Sequence, residues 1–102
     1  AAIEHSADMA NHDFFAHTGS DGSSPWDRMD RAGYQWLAAA ENIAASARTP
    51  AEVVAMWMNS PGHRANILNC SLHDTGLGYV RLDNDTGNVN YHTYWTQVFG
   101  SR

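Results

Sequence analysis

A change of period after Cys70 constrains this chain more than any other feature. Before it, apolar residues recur at helical spacing; from Thr75 onward they alternate. The alternation is clearest from Val89 to Phe99. Val89, Tyr91, Thr93, Trp95, Gln97 and Phe99 fall on one face, and Asn90, His92, Tyr94, Thr96 and Val98 on the other. Thr75 to Leu82 reads as the preceding strand, and residues 83–88 as the hairpin loop between the two. Within that first strand, Gly76-Leu77-Gly78 marks a place where another backbone can pass closely. Helices first and an antiparallel hairpin last imply an α+β domain, with helices covering a small sheet.

The helical half is punctuated by one repeated device, a cap residue followed by proline. Ser24-Pro25 starts a helix that runs to Ala32 and stops at Gly33. Thr49-Pro50-Ala51-Glu52 starts another, with Glu at the capping-box position and Val53, Val54, Met56 and Trp57 as its buried stripe. It must end near Asn59, because the residue before Pro61 resists the helical region. Ser60-Pro61 then opens a short helix with Gly62 and His63 in its first turn and Ile67 and Leu68 as apolar anchors. A histidine at that end of a helix is pushed toward its neutral form, which suits a metal ligand or a general base.

At the start of the chain, Ile3, Ala7, Ala10 and Phe14 trace one face of a helix over residues 1–13, with Glu4, His5, Asp8 and Asn11 outside. Phe14-Phe15 plugs the core beyond its end. Residues 17–24 are a polar, glycine-punctuated loop. Residues 34–40 fit either element, and Glu41-Asn42-Ile43 reads as extended. The chain opens directly on helix-like sequence, an abrupt start expected of a processed or trimmed protein.

The 102 residues suffice for one domain with a single core. The net charge is −5 and the six basic residues, all arginine, are scattered, which argues against a nucleic-acid partner. No apolar run reaches the length of a membrane span. No secretory leader is visible, so any leader is expected to have been removed. With one cysteine, neither an internal disulfide nor an all-cysteine zinc site can form, and Cys70 reads as a small buried apolar group. His5 and His12 are two helical turns apart, too far to share a metal on one helix. His73 and His92 read as surface positions.

Three groups of residues, taken together, resemble the bacterial branch of the CAP superfamily, which joins cysteine-rich secretory proteins, antigen 5 and pathogenesis-related proteins. They are the run from His17 to Pro25, Glu41-Asn42-Ile43-Ala44, and the run from Trp57 to Leu68. Gly76-Leu77-Gly78-Tyr79 and the run from Tyr94 to Gly100 extend the likeness to nearly the whole chain. The resemblance implies one three-layer α-β-α sandwich over residues 1–102, with a small central antiparallel sheet, secreted; a monomer is expected. It also implies a cleft tetrad of two histidines and two acids. His17, Glu41 and His63 match three of the four; Ser60 stands near the place of the second acid.

The set His17, His63 and Glu41 is a valid three-ligand group for a divalent cation, zinc foremost, with water in the fourth position. Asn42, Ser60 and Arg64 complete the expected cleft, and Glu41 is expected to take backbone groups or Arg64 as its partner. With one acid missing and no nucleophile motif such as Gly-X-Ser-X-Gly, the reading is a binding module for a cation or a small ligand, without turnover. The alternatives are a metal-dependent hydrolase of peptides or cell-wall material, with Glu41 as base, and a lipid- or sterol-binding protein.

Overall fold

The structure is a computed structural model that describes residues 1–83, 85, 87 and 91–102. Helix α1 spans Ala2–Asn11 and α2 spans Pro25–Arg31; strand β1 spans Ala38–Ala45. Helices α3 (Pro50–Met58) and α4 (Pro61–Ile67) follow, then strands β2 (Asp74–Arg81) and β3 (Thr93–Ser101). The three strands form one antiparallel sheet in the order β1-β3-β2, so the last strand lies in the centre and β1 and β2 are its edges. Of the expected hairpin, the strands stand as read and Asn84, Thr86, Asn88, Val89 and Asn90 lie outside the described residues.

Alternation along the strands separates two cores. Ile43 and Tyr94 pack on Met9 and Ala10 of α1. Their neighbours Ala44 and Trp95 point the other way, onto Val53 and Trp57 of α3 and onto Ala47. Helix α4 packs beside α3 and against β1. The result is a three-layer α-β-α sandwich.

The cap-plus-proline starts are all present, with different chemistry at each. At α2, Ser24 and Asp27 form a reciprocal capping box. At α3, the Thr49 hydroxyl accepts from Glu52 N, while the Glu52 carboxylate reaches back to Arg48 N instead of completing the box. At α4, Ser60 holds the N-cap backbone position but its side chain makes no cap bond.

Several burial expectations change. Helix α1 buries Ala2, His5, Ser6, Met9 and Ala10, while Ile3 is 54% exposed. Those five positions also form a helical stripe, and it is favoured because its polar members find partners. His5 Nε2 donates to Ala16 O at 2.7 Å, and Ser6 Oγ bonds Gly78 O at 3.0 Å and Thr96 Oγ1 at 2.8 Å. In α3 only Val53 and Trp57, one turn apart, meet the sheet; Val54 and Met56 face outward. Phe15, Leu68 and Cys70 are exposed as well, while Phe14 and Ile67 pack on the two cores.

The close approach expected around Gly76-Leu77-Gly78 falls at Gly78. A Cβ there would lie 2.2 Å from Ile3 N and 2.4 Å from Ala2 C, so the first turn of α1 rests directly on β2.

Candidate functional site

The candidate site lies along the outer edge of β1. Glu41 and Asn42 are adjacent in the strand and therefore project to opposite faces. Each collects one layer of the sandwich.

Glu41 projects to the α1 side, where its side chain is 1% exposed. Its Oε2 accepts from Arg28 Nη2 at 2.9 Å, and its Oε1 accepts from His17 Nδ1 at 2.9 Å. A carboxylate this deeply buried needs a paired cation, and Arg28 supplies it. The same guanidinium donates through Nη2 to His17 O at 2.8 Å and through Nη1 to Ser23 O at 3.0 Å. Arg28 thus ties both ends of the 17–23 loop to the floor of the site. Asp8 accepts from Ser20 N and Oγ, and Asp21 pairs with Arg31 at 2.7 Å. Turn bonds from Gly19 N to Ser23 O and from Gly22 N to Gly19 O close the loop. His17 is therefore held on a braced loop although its side chain is 51% exposed.

A carboxylate accepts, so the hydrogen shared with Glu41 sits on His17 Nδ1, and Nε2 is the ring nitrogen turned away from the pair. His5 lies behind the pair, with Nε2 3.9 Å from Glu41 Oε1, outside hydrogen-bond reach. Burial pushes the His5 imidazole below its ordinary 6.5, against the opposing pull of Glu41. Neutral His5, donating through Nε2 to Ala16, leaves its Nδ1 without a partner among the described residues.

Asn42 projects to the α4 side and is fully buried. Its Nδ2 donates to His63 O at 3.1 Å and its Oδ1 accepts from Asn66 Nδ2 at 2.9 Å. These two bonds hold α4, and with it half-buried His63, against β1. Burial lowers the His63 pKa from 6.5, and the charge of nearby His17 lowers it further. His17 and His63, one from each outer layer, are thus near enough for the charge of one to act on the other. A cleft of about 360 Å³ opens beside His17, walled also by Trp26, Ala40, Glu41 and Asn66.

Of the six residues singled out in the sequence, His17 and Glu41 are in direct contact and Asn42 joins β1 to the α4 backbone at His63. Ser60 is half-buried at the N-cap of α4, with its hydroxyl free of cap duty. Arg64 is exposed, and the expected Glu41 partner proves to be Arg28 instead. Arg28 carried a signal: it shares the buried stripe of α2 with Pro25 and Met29, and an arginine on such a stripe requires a counter-charge. Among the described residues, no three His, Cys, Asp or Glu side chains are grouped to hold a metal ion. Both oxygens of Glu41 are engaged, so it stands behind His17 as an orienting partner.

An α-β-α sandwich carrying a histidine–glutamate cleft at the edge of its sheet defines the class. The chain belongs to the CAP (cysteine-rich secretory protein) family, whose pattern it matches over residues 1–99. It is 43% identical over 94 residues to the Bacillus subtilis protein YkwD, covering 92% of this chain and 33% of that one. An extracellular SCP-domain protein of Bacillus anthracis superimposes with a TM-score of 0.83 at 32% identity, over 99% of this chain and 30% of that one. An outer surface protein of Borrelia burgdorferi has the same fold, with a TM-score of 0.81 at 20% identity, over 97% of this chain and 68% of that one. The chain spans about a third of the length of YkwD. No helix among the described residues is long and apolar enough to cross a membrane.

Proposed function

We propose that this domain is an extracellular binding module whose β1-edge cleft holds a divalent cation, zinc foremost, or a small ligand, without turnover. One observation carries the reading: Glu41 is pinned by Arg28 and in turn fixes His17 through Nδ1. That arrangement fixes the tautomer in which Nε2 is the ligating nitrogen, and burial favours the neutral form of His63. Two imidazoles leave the other coordination positions to water or to an incoming ligand, which suits exchangeable binding. The arrangement disfavours hydrolysis with Glu41 as base, because both of its oxygens are already engaged by Arg28 and His17. The extracellular and outer-surface descriptions of two structural relatives support secretion.

Calorimetric titration of zinc into the metal-free protein tests the cation reading. Wild type is expected to release heat, and His17→Ala combined with His63→Ala to abolish it. Glu41→Gln is expected to weaken binding by roughly tenfold to a hundredfold, as removing an orienting partner does. No heat in wild type, or equal heat after both histidine substitutions, overturns it.

A further inference from the structure

A second cleft lies away from His17 and His63. It encloses about 540 Å³, and its lining includes Ser46, Arg48, Tyr79, Arg81, Asp83, Tyr91 and His92. That volume falls in the ordinary range of small-ligand sites.

Its walls are fixed by the core. Ala47 O, between two lining residues, accepts from both Thr93 Oγ1 at 2.7 Å and Trp95 Nε1 at 2.9 Å. Tyr79 stacks on Trp95 with ring centroids 4.3 Å apart, and Tyr91 meets Phe15 and Tyr94 edge-on. Both tyrosines nevertheless remain partly exposed, at 38% and 42%, which leaves aromatic surface free for a second ring. Ser46 and His92 both take left-handed backbone, with φ of 75° and 67°. For residues other than glycine that conformation costs energy, and it recurs where side chains are aimed at a ligand.

The charge is as informative as the shape. On a protein of net charge −5, this cleft gathers two of the six arginines against one aspartate. Asp83 binds Arg81 through Nε, at 2.7 Å, and neither terminal amino group of that guanidinium pairs with an acid among the described residues. Arg48 forms no ion pair among the described residues, and none of residues 84, 86 and 88–90 is acidic. The Glu52 carboxylate beside it is spent on the Arg48 backbone N–H. A lining with one unneutralised positive charge matches a single carboxylate, which arginine binds in a planar, bidentate manner. A doubly charged phosphate would leave excess negative charge on an already acidic protein.

We propose that this cleft binds a ring-bearing monocarboxylate, with the ring on Tyr79 and Tyr91 and the carboxylate on Arg48 and Arg81. An acidic sugar and an aromatic acid share that chemistry, and the probes separate them. Tryptophan fluorescence reports binding directly, because Trp95 stacks on a wall of the cleft. Glucuronic acid, benzoate, glucose and inorganic phosphate are each titrated into wild type, Arg48→Gln and Tyr79→Ser, all changes at exposed positions.

Saturable binding of glucuronic acid or of benzoate is expected, weakened at least about tenfold by Arg48→Gln, as loss of a charge-assisted bond implies. The tighter of the two acids then identifies the source. Neutral glucose is expected not to bind. Three results overturn the proposal: no saturable response to either acid, phosphate binding as tightly as the acids, or binding unchanged in Arg48→Gln. Circular dichroism of each variant separates loss of the site from loss of the fold.

Discussion

The packing under α3 and the packing under α1 differ in how much polar chemistry they enclose. On the α3 side, Ala44, Ala47, Val53, Trp57 and Trp95 make an apolar cluster whose two indoles each find one backbone carbonyl. On the α1 side, Met9, Ala10, Ile43 and Tyr94 share the interior with buried His5, Ser6, Glu41 and Thr96. Buried Asp85 accepts there from Tyr94 Oη, and Tyr94 is pushed up to about 12, by burial first and this bond second. Polar groups in an interior are tolerated only when paired, and pairing demands geometry. The α3 face anchors the sheet; the α1 face sacrifices some burial energy to aim Glu41 at His17.

That contrast can be broken at several points. The largest loss is expected from Trp57→Ala, about 4 kcal/mol by chemical denaturation, because a fully buried ring leaves a cavity and its bond to Ile43 O goes with it. Arg28→Met is expected to cost about 3 kcal/mol by the same measurement, through an uncompensated buried carboxylate. Adding Glu41→Gln to it should recover part of that loss, whereas equal losses with and without Glu41→Gln would show that the pair is not coupled.

Ser6→Ala strips partners from Gly78 O and Thr96 Oγ1 and is expected to cost about 2 kcal/mol. The smallest effect is a slope. His5 has a folded pKa below its ordinary 6.5, so the unfolded chain binds the proton more readily. Its contribution is fully present above 6.5 and is lost as pH falls below that value toward the folded pKa. The melting temperature of wild type should therefore drop between pH 7 and 5, and less steeply in His5→Gln. His63 retains part of the slope, since its pKa is lowered as well.

Much of this arrangement was legible in the chain because it is written locally. Three helices start on cap-proline pairs, and Gly33, at φ +82°, follows the end of α2. The Tyr94-to-Phe99 alternation is the central strand itself. His17 and Glu41 were identified as companions through the family likeness, and they touch. What stayed hidden depends on partners distant in sequence. His5 reads as a polar outward residue until Ala16 O is seen to receive it, and the stripe of α2 that holds Arg28 does not say that its partner is Glu41. Periodicity also offers competing stripes: Ile3 and Val54 lie on plausible apolar faces, but the neighbouring face meets the sheet.

The seat of α1 on Gly78 has a consequence in time. Ser6 leaves the ribosome 90 residues before Thr96, the strand partner it must bond, and 72 before Gly78. At synthesis rates of roughly 5 to 20 residues per second, that wait lasts on the order of 5 to 20 s. Until β3 emerges, α1 has no sheet to rest on, β1 has no hydrogen-bonding neighbour, and the arginine brace around Glu41 surrounds a strand still unpaired. Folding of this domain is set by its last strand, and contacts of such long range place it among the slower folders of its size.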